Sequence, residues 1–204
     1  GICIHDATPW LTMIHAYEHA RVHLRFYRVA ASDGSGQLQA REGQSWSWQR
    51  AGDYTVAPML PANTALLKSL AIPLELSGSL KSGFEGENAI GNYRVVPFLL
   101  AEPTHPNVLI SLSELKRLGK LPAADSVWII VEKPADYQQA ADADVLVWHT
   151  QNTDDAEQVL MILHEGVSVP LVLLAPQSLC DLYREHWLQA GAQAVVIDTA
   201  IELA

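Results

Sequence analysis

Cysteine is scarce in this sequence, and so are positive charges and long apolar runs. Only two cysteines occur, Cys3 and Cys180, and they stand far apart in the chain. Neither belongs to a CxxC pair or to a metal-ligand spacing. That excludes a disulfide framework and a structural zinc site, and it points to two reduced thiols in a cytoplasmic protein. No apolar run approaches the roughly 20 residues that a membrane-spanning helix needs. The longest, around residues 167–176, is short and bounded by proline. The first residues have no basic start and carry His5 and Asp6 early, so they do not read as a secretory signal. There are 13 Lys+Arg against 23 Asp+Glu, a net charge of −10. A surface of that sign repels polyanions, which excludes long DNA or RNA as a partner. A mononucleotide whose phosphates are carried by a metal ion remains compatible.

What is present is a core-forming composition, 49% hydrophobic and 18% charged. It suits one large or two small domains. Residues 10–29 alternate: Val22, Leu24 and Phe26 point one way, Arg21, His23 and Arg25 the other. Period two predicts half-buried strands, with Glu18-His19-Ala20 turning a hairpin between them. Residues 32–36 read as a flexible loop, and Trp46-Ser47-Trp48 as a further short strand. A helix is expected from Pro61-Ala62-Asn63 through Leu70. Residues 76–91 are rich in glycine and serine and read as an interdomain linker. Beyond them the rhythm becomes strand, helix, strand. Apolar segments near residues 108–110, 126–131, 145–148, 169–174 and 194–197 alternate with amphipathic helices. Ser113 is expected to cap the first of those helices, and Asp154 and Asp155 to open the third. Continuous apolar strands between helices imply a parallel sheet covered by helices. About four βα units are expected, too few for a closed eight-unit barrel, so the fold class is α/β with a half-barrel or open sheet.

The first seventy or so residues resemble the second half of a MutT-type Nudix hydrolase domain. Gly1-Ile2 matches the end of that family's signature helix. The hairpin, Arg41-Glu42-Gly43-Gln44, Trp46-Ser47-Trp48 and Pro58-Met59-Leu60-Pro61-Ala62-Asn63 follow in the family's order and spacing. The resemblance implies a nucleoside triphosphate diphosphatase, specifically an 8-oxo-dGTP diphosphatase acting in DNA repair, that yields monophosphate and pyrophosphate. It implies a magnesium cofactor, with manganese as the alternative, that polarises a phosphoryl oxygen and activates water. The glutamates that hold the metal lie on the signature helix, outside these residues, so the chain alone is expected to be inactive.

Two matched positions remain. Glu42 corresponds to an auxiliary carboxylate, catalytic and metal-holding, or it is a solvated loop glutamate. Asn63 corresponds to the family's base-reading asparagine, since an amide offers both a donor and an acceptor to a guanine edge. It would equally serve as a helix N-cap. Tyr17 and Leu24 fall where the family lines the base pocket, or they are hairpin core. The turn at Glu18-His19-Ala20-Arg21 departs from the family's usual Pro-Asp-Arg-His. The domain scheme is therefore residues 1–75 as half of a Nudix mixed sheet, 76–91 as linker and 92–204 as the βα domain. Half a mixed sheet would leave bare edges, so a second copy or the missing Nudix half is expected to cover the hairpin.

The later segments Ala141-Asp142-Ala143-Asp144-Val145-Leu146-Val147, Val169-Pro170-Leu171-Val172 and Ala190-Gly191-Ala192-Gln193-Ala194-Val195 resemble a thiamine-phosphate-synthase-like domain. That family's Gln-Leu-Arg-x-Lys strand is absent, and Leu174-Ala175-Pro176-Gln177 replaces its Gly-Gly phosphate turn, so the resemblance implies a non-catalytic version. The alternative function is then a small-ligand or regulatory module, with its ligand at the strand ends near His149-Thr150 and Ala175-Pro176. Two other patterns carry less. His15, His19 and His23 recur every four residues, but on strands rather than a helix, and only a hairpin could bring His15 and His23 together. Asp142, Asp144, Asp154 and Asp155 read as strand ends and helix caps.

Overall fold

The computed structural model describes residues 1–40, 43, 45–102, 104–140 and 142–199, with backbone only at 61, 62, 65, 134, 135 and 138. Four strands open the chain: β1 (Ile2–Ile4), β2 (Thr8–Ala16), β3 (Arg21–Arg28) and β4 (Gly34–Gly36). β2 and β3 form the expected antiparallel hairpin, closed where the Tyr17 amide donates to the Ala20 carbonyl at 2.8 Å. Burial in β3 alternates residue by residue, with Val22, Leu24 and Phe26 on the covered side. The expected loop at 32–36 is partly a strand, because Gly34 and Gly36 present backbone to pair with Ile4 and Ile2. Trp46-Ser47-Trp48 forms no strand. Alternation alone cannot make one without a partner to hydrogen-bond, and Trp48 stays 80% exposed. The expected helix is α1 (Pro61–Leu70).

The segment read as a linker is instead part of a sheet. β5 (Leu76–Ser79), β6 (Gly83–Asn88) and β7 (Gly91–Pro97) form an antiparallel meander. Its glycines serve close approach between backbones. A Cβ on Gly78 would stand 2.1 Å from the Gly83 carbonyl oxygen, and one on Gly83 would stand 2.0 Å from that of Val95. β7 then pairs in parallel with β8 (Asn107–Ser111), and the βα rhythm follows. α2 (Leu112–Leu118), β9 (Ser126–Val131), α3 (Pro134–Gln139), β10 (Val145–His149), α4 (Thr153–Glu165), β11 (Leu171–Ala175), α5 (Gln177–Gln189) and β12 (Ala194–Ile197) alternate to the end. The fold is α/β, as expected. The eight strands run β12-β11-β10-β9-β8-β7-β6-β5. The sheet curls until Cα atoms of β12 and β5 come within 8 Å of each other without pairing. It is thus a near-barrel and not a half-barrel, because the meander supplies the strands that four βα units lack.

Both faces of the strands are buried, which is why they read as continuous apolar runs. Val145 and Val147 point into the barrel with Trp128, Val172, Leu174 and Val196. Leu146 and Trp148 point outward against Val159, Leu163 and Trp187 of the helices. Helix starts follow local chemistry. Ser111, not Ser113, caps α2, because Ser111-Leu112-Ser113-Glu114 closes a capping box. The Asn152 side chain caps α4 ahead of Asp154 and Asp155.

Candidate functional site

The hairpin and α1 dock on the end of the barrel where its parallel strands begin. Leu11 bridges to Val167, and the Thr12 amide donates to the Val167 carbonyl at 2.8 Å. Trp10 and Leu11 are buried in the layer between sheet and helices. A cavity of about 420 Å³ lies between the elements, lined by Met13 of β2, Thr64 and Lys68 of α1, and Ser126, Asp144 and Ser168 of the barrel floor. The Lys68 ammonium donates to the Asp125 carbonyl at 2.9 Å and stands 3.4 Å from Asp144. Asp144 also takes the Val127 amide at 2.9 Å, the strand-end role expected of it.

Leu24, Asn63 and Tyr17 are not among the residues that line this cavity, and two of them neighbour residues that are. Leu24 is the cross-strand partner of Met13, so the two share a face of the ribbon. Asn63 directly precedes Thr64 in the first turn of α1 and is half-buried. It is not the N-cap: Leu60 holds that place, with no side-chain cap bond. Tyr17 shares the Met13 face but sits at the hairpin tip, about 13 Å along the strand at roughly 3.3 Å per residue. Its ring meets His15 edge-on at 4.6 Å and stacks on His19 at 5.9 Å. Glu42 lies outside the described residues.

One residue that the sequence did not single out organises the floor. Gln193 is 1% exposed. Its Oε1 accepts from Trp10 Nε1 at 3.1 Å and from the Arg28 guanidinium. Its Nε2 donates to the carbonyls of Ile72 at 3.0 Å and Pro73 at 3.2 Å. A lone glutamine before a strand carries no sequence signal for such a role.

At the opposite end, the strand C-termini hold a second constellation. Period two continues the inward register of Val145 and Val147 to His149, and that of Ala194 and Val196 to Asp198. His149 Nε2 and Asp198 Oδ2 meet at 3.1 Å across the end of β11, both largely buried. The Asp198 carboxylate accepts from the His149 ring at Nε2, and the ring's Nδ1 stands 3.4 Å from the Gln151 side-chain amide. Thr150 alongside is fully buried, and its hydroxyl has no hydrogen-bond partner among the described residues.

His15 pairs with Val22 and His23 with Ile14, so these two imidazoles leave opposite faces of the ribbon and do not converge. Among the described residues no group of three or more His, Cys, Asp or Glu is placed to hold a metal ion. Those residues do not by themselves make a magnesium site. Both cysteines are free, Cys3 exposed and Cys180 buried. Among the described residues no helix is long and apolar enough to cross a membrane. Bare apolar surface is present near the start of the chain, where Ile2, Ile4, Val29, Leu38, Trp46 and Trp48 line a groove of about 740 Å³. No family model, curated protein or solved structure matches this chain.

Proposed function

We propose that residues 1–75 supply the base-recognition half of a MutT-type Nudix hydrolase. Such an enzyme is a nucleoside triphosphate diphosphatase that converts an oxidised guanine nucleotide to its monophosphate and pyrophosphate. The supporting observation is that Met13, the cross-strand partner of Leu24, and Thr64, the chain neighbour of Asn63, line one cavity. Asn63 is not spent on capping its helix, which leaves its amide to donate and accept along a guanine edge. The Leu24 face offers an apolar wall, and Glu42 an auxiliary carboxylate. Magnesium, or manganese in its place, belongs chiefly to signature-helix glutamates that are not among these residues. The groove at Ile2, Ile4, Trp46 and Trp48 and the two isolated two-stranded sheets suit a mixed sheet that lacks its neighbours. The two free thiols suit a cytoplasmic setting.

The test is calorimetry of the 204-residue chain against 8-oxo-dGMP, with dGMP as the comparison. Binding of the oxidised nucleotide is expected, with no magnesium-dependent pyrophosphate release from 8-oxo-dGTP by this chain. Asn63→Ala is expected to weaken the binding about 10- to 100-fold, as loss of a base-edge hydrogen-bonding group does. Pyrophosphate release by the 204-residue chain, or no binding of 8-oxo-dGMP, overturns the proposal.

The His149–Asp198 pair favours a second reading, in which the barrel is a small-ligand module with its site at the strand C-termini. Calorimetry of the 204-residue chain against thiamine phosphates is its test. Heat that vanishes in His149→Ala supports it, and no heat in the wild type removes it.

A further inference from the structure

We infer that Gln193 is a positioning residue for the base site, one barrel side chain that sets the hairpin against α1. This rests on the nucleotide reading above. Base recognition there needs two elements held at a fixed distance: the hairpin, which carries Leu24, and α1, which carries Asn63. Neither can fix the other unaided, because a two-stranded ribbon and a ten-residue helix are each marginal in isolation.

One barrel side chain touches both. Through Oε1, Gln193 holds Trp10 on β2 and Arg28 at the end of β3. Through Nε2 it holds the carbonyls of Ile72 and Pro73, directly after α1. The two ends of one amide thus set the hairpin against the helix. The amide is buried to 1% exposure and satisfied on both sides, so it has one orientation: reversing it would set its NH₂ against two donors. Its own backbone is fixed as well. The Gln193 amide donates to Leu171 at 2.8 Å, and the preceding turn presses on β2 so closely that a Cβ on Gly191 would stand 2.7 Å from the Pro9 carbonyl oxygen. A residue that only glued the barrel together would have partners in one element.

Two variants release one side each. Gln193→Glu keeps acceptors for Trp10 and Arg28 but sets carboxylate oxygen against the Ile72 and Pro73 carbonyls, freeing the α1 side. Trp10→Phe removes only the indole donor, freeing the hairpin side, and keeps the chain folded if the first variant does not. Each is expected to weaken binding of 8-oxo-dGMP by the 204-residue chain about tenfold. In an Asn63→Ala background the same substitutions are expected to change that binding less than about twofold, because the contact they position is already gone. A merely structural role predicts the opposite, with equal effects in both backgrounds. Binding unmoved in a folded variant, or effects that add to Asn63→Ala, overturns the inference alone. Absence of 8-oxo-dGMP binding by the wild type overturns the nucleotide reading, and the inference with it.

Discussion

The guanidinium carbon of Arg28 stands 4.2 Å from the centroid of the Trp10 ring, and both side chains bond to the same oxygen of Gln193. A cation is therefore held in the floor of the barrel by an aromatic face and an amide, with no ion pair to a carboxylate among the described residues. Burial draws the pKa of Arg28 down to about 10, so it remains charged at neutral pH. Arg28→Ala leaves Gln193 with one partner fewer and the indole uncovered. It is expected to lower unfolding stability by about 2 kcal/mol, while Arg28→Lys, which keeps the charge but not the planar fork, costs about half as much. Urea denaturation measures both, and an Arg28→Ala change under about 0.5 kcal/mol would show that the contact holds nothing.

Gly83→Ala separates a linker from a sheet. With φ near 83° and the Val95 carbonyl oxygen 2.0 Å from any added Cβ, the methyl group has no room. A loss of about 3 kcal/mol or more is expected, seen as a lower urea midpoint. In a free linker the same change would stay within about 0.5 kcal/mol.

That glycine also marks where sequence legibility ends. A glycine that bends freely and one that admits a neighbour's carbonyl both lack a Cβ, so residues 76–91 read as a linker although they form a meander. The strands beyond residue 107 are legible because burial on both faces leaves a continuous apolar signature, and β9 and β12 fall where the pattern puts them. Trp46 and Trp48 mislead because alternation records a covered face but not whether a partner strand exists. The His149–Asp198 pair is invisible in the chain, since 49 positions and an intervening strand separate its members. Gln193 is invisible for the same reason: its four partners come from three distant segments.

Tyr93 gives a dependence on pH. Its phenol lies against the buried Trp128 ring, with centroids 6.2 Å apart, and burial pushes its pKa up from 10.0 to about 12. The folded protein thus keeps the proton more tightly than the unfolded chain. By linkage, the stability this group contributes is full below pH 10 and is lost as pH rises through about 12. Tyr93→Phe is expected to flatten that part of the alkaline stability curve and to remove one late-titrating phenolate from the absorbance titration. A Tyr93 phenolate that appears near pH 10 in the folded protein would contradict the burial.

Thr150 tests the opposite sign. Its hydroxyl is buried between His149 and the cap of α4 and has no partner among the described residues, although its backbone amide donates to Leu174 at 2.8 Å. A buried donor without an acceptor forfeits its hydration and regains nothing. Thr150→Val keeps the branched shape and removes the orphaned group, so it is expected to raise stability by about 1 kcal/mol. Thr150→Ala removes the hydroxyl too, but it opens a methyl-sized void that offsets the gain. The pair of variants isolates the polar contribution from the packing one. If Val instead destabilised the fold by as much as Ala, the hydroxyl would have a bonding partner in solution, and the outer side of the β10 terminus would be wet.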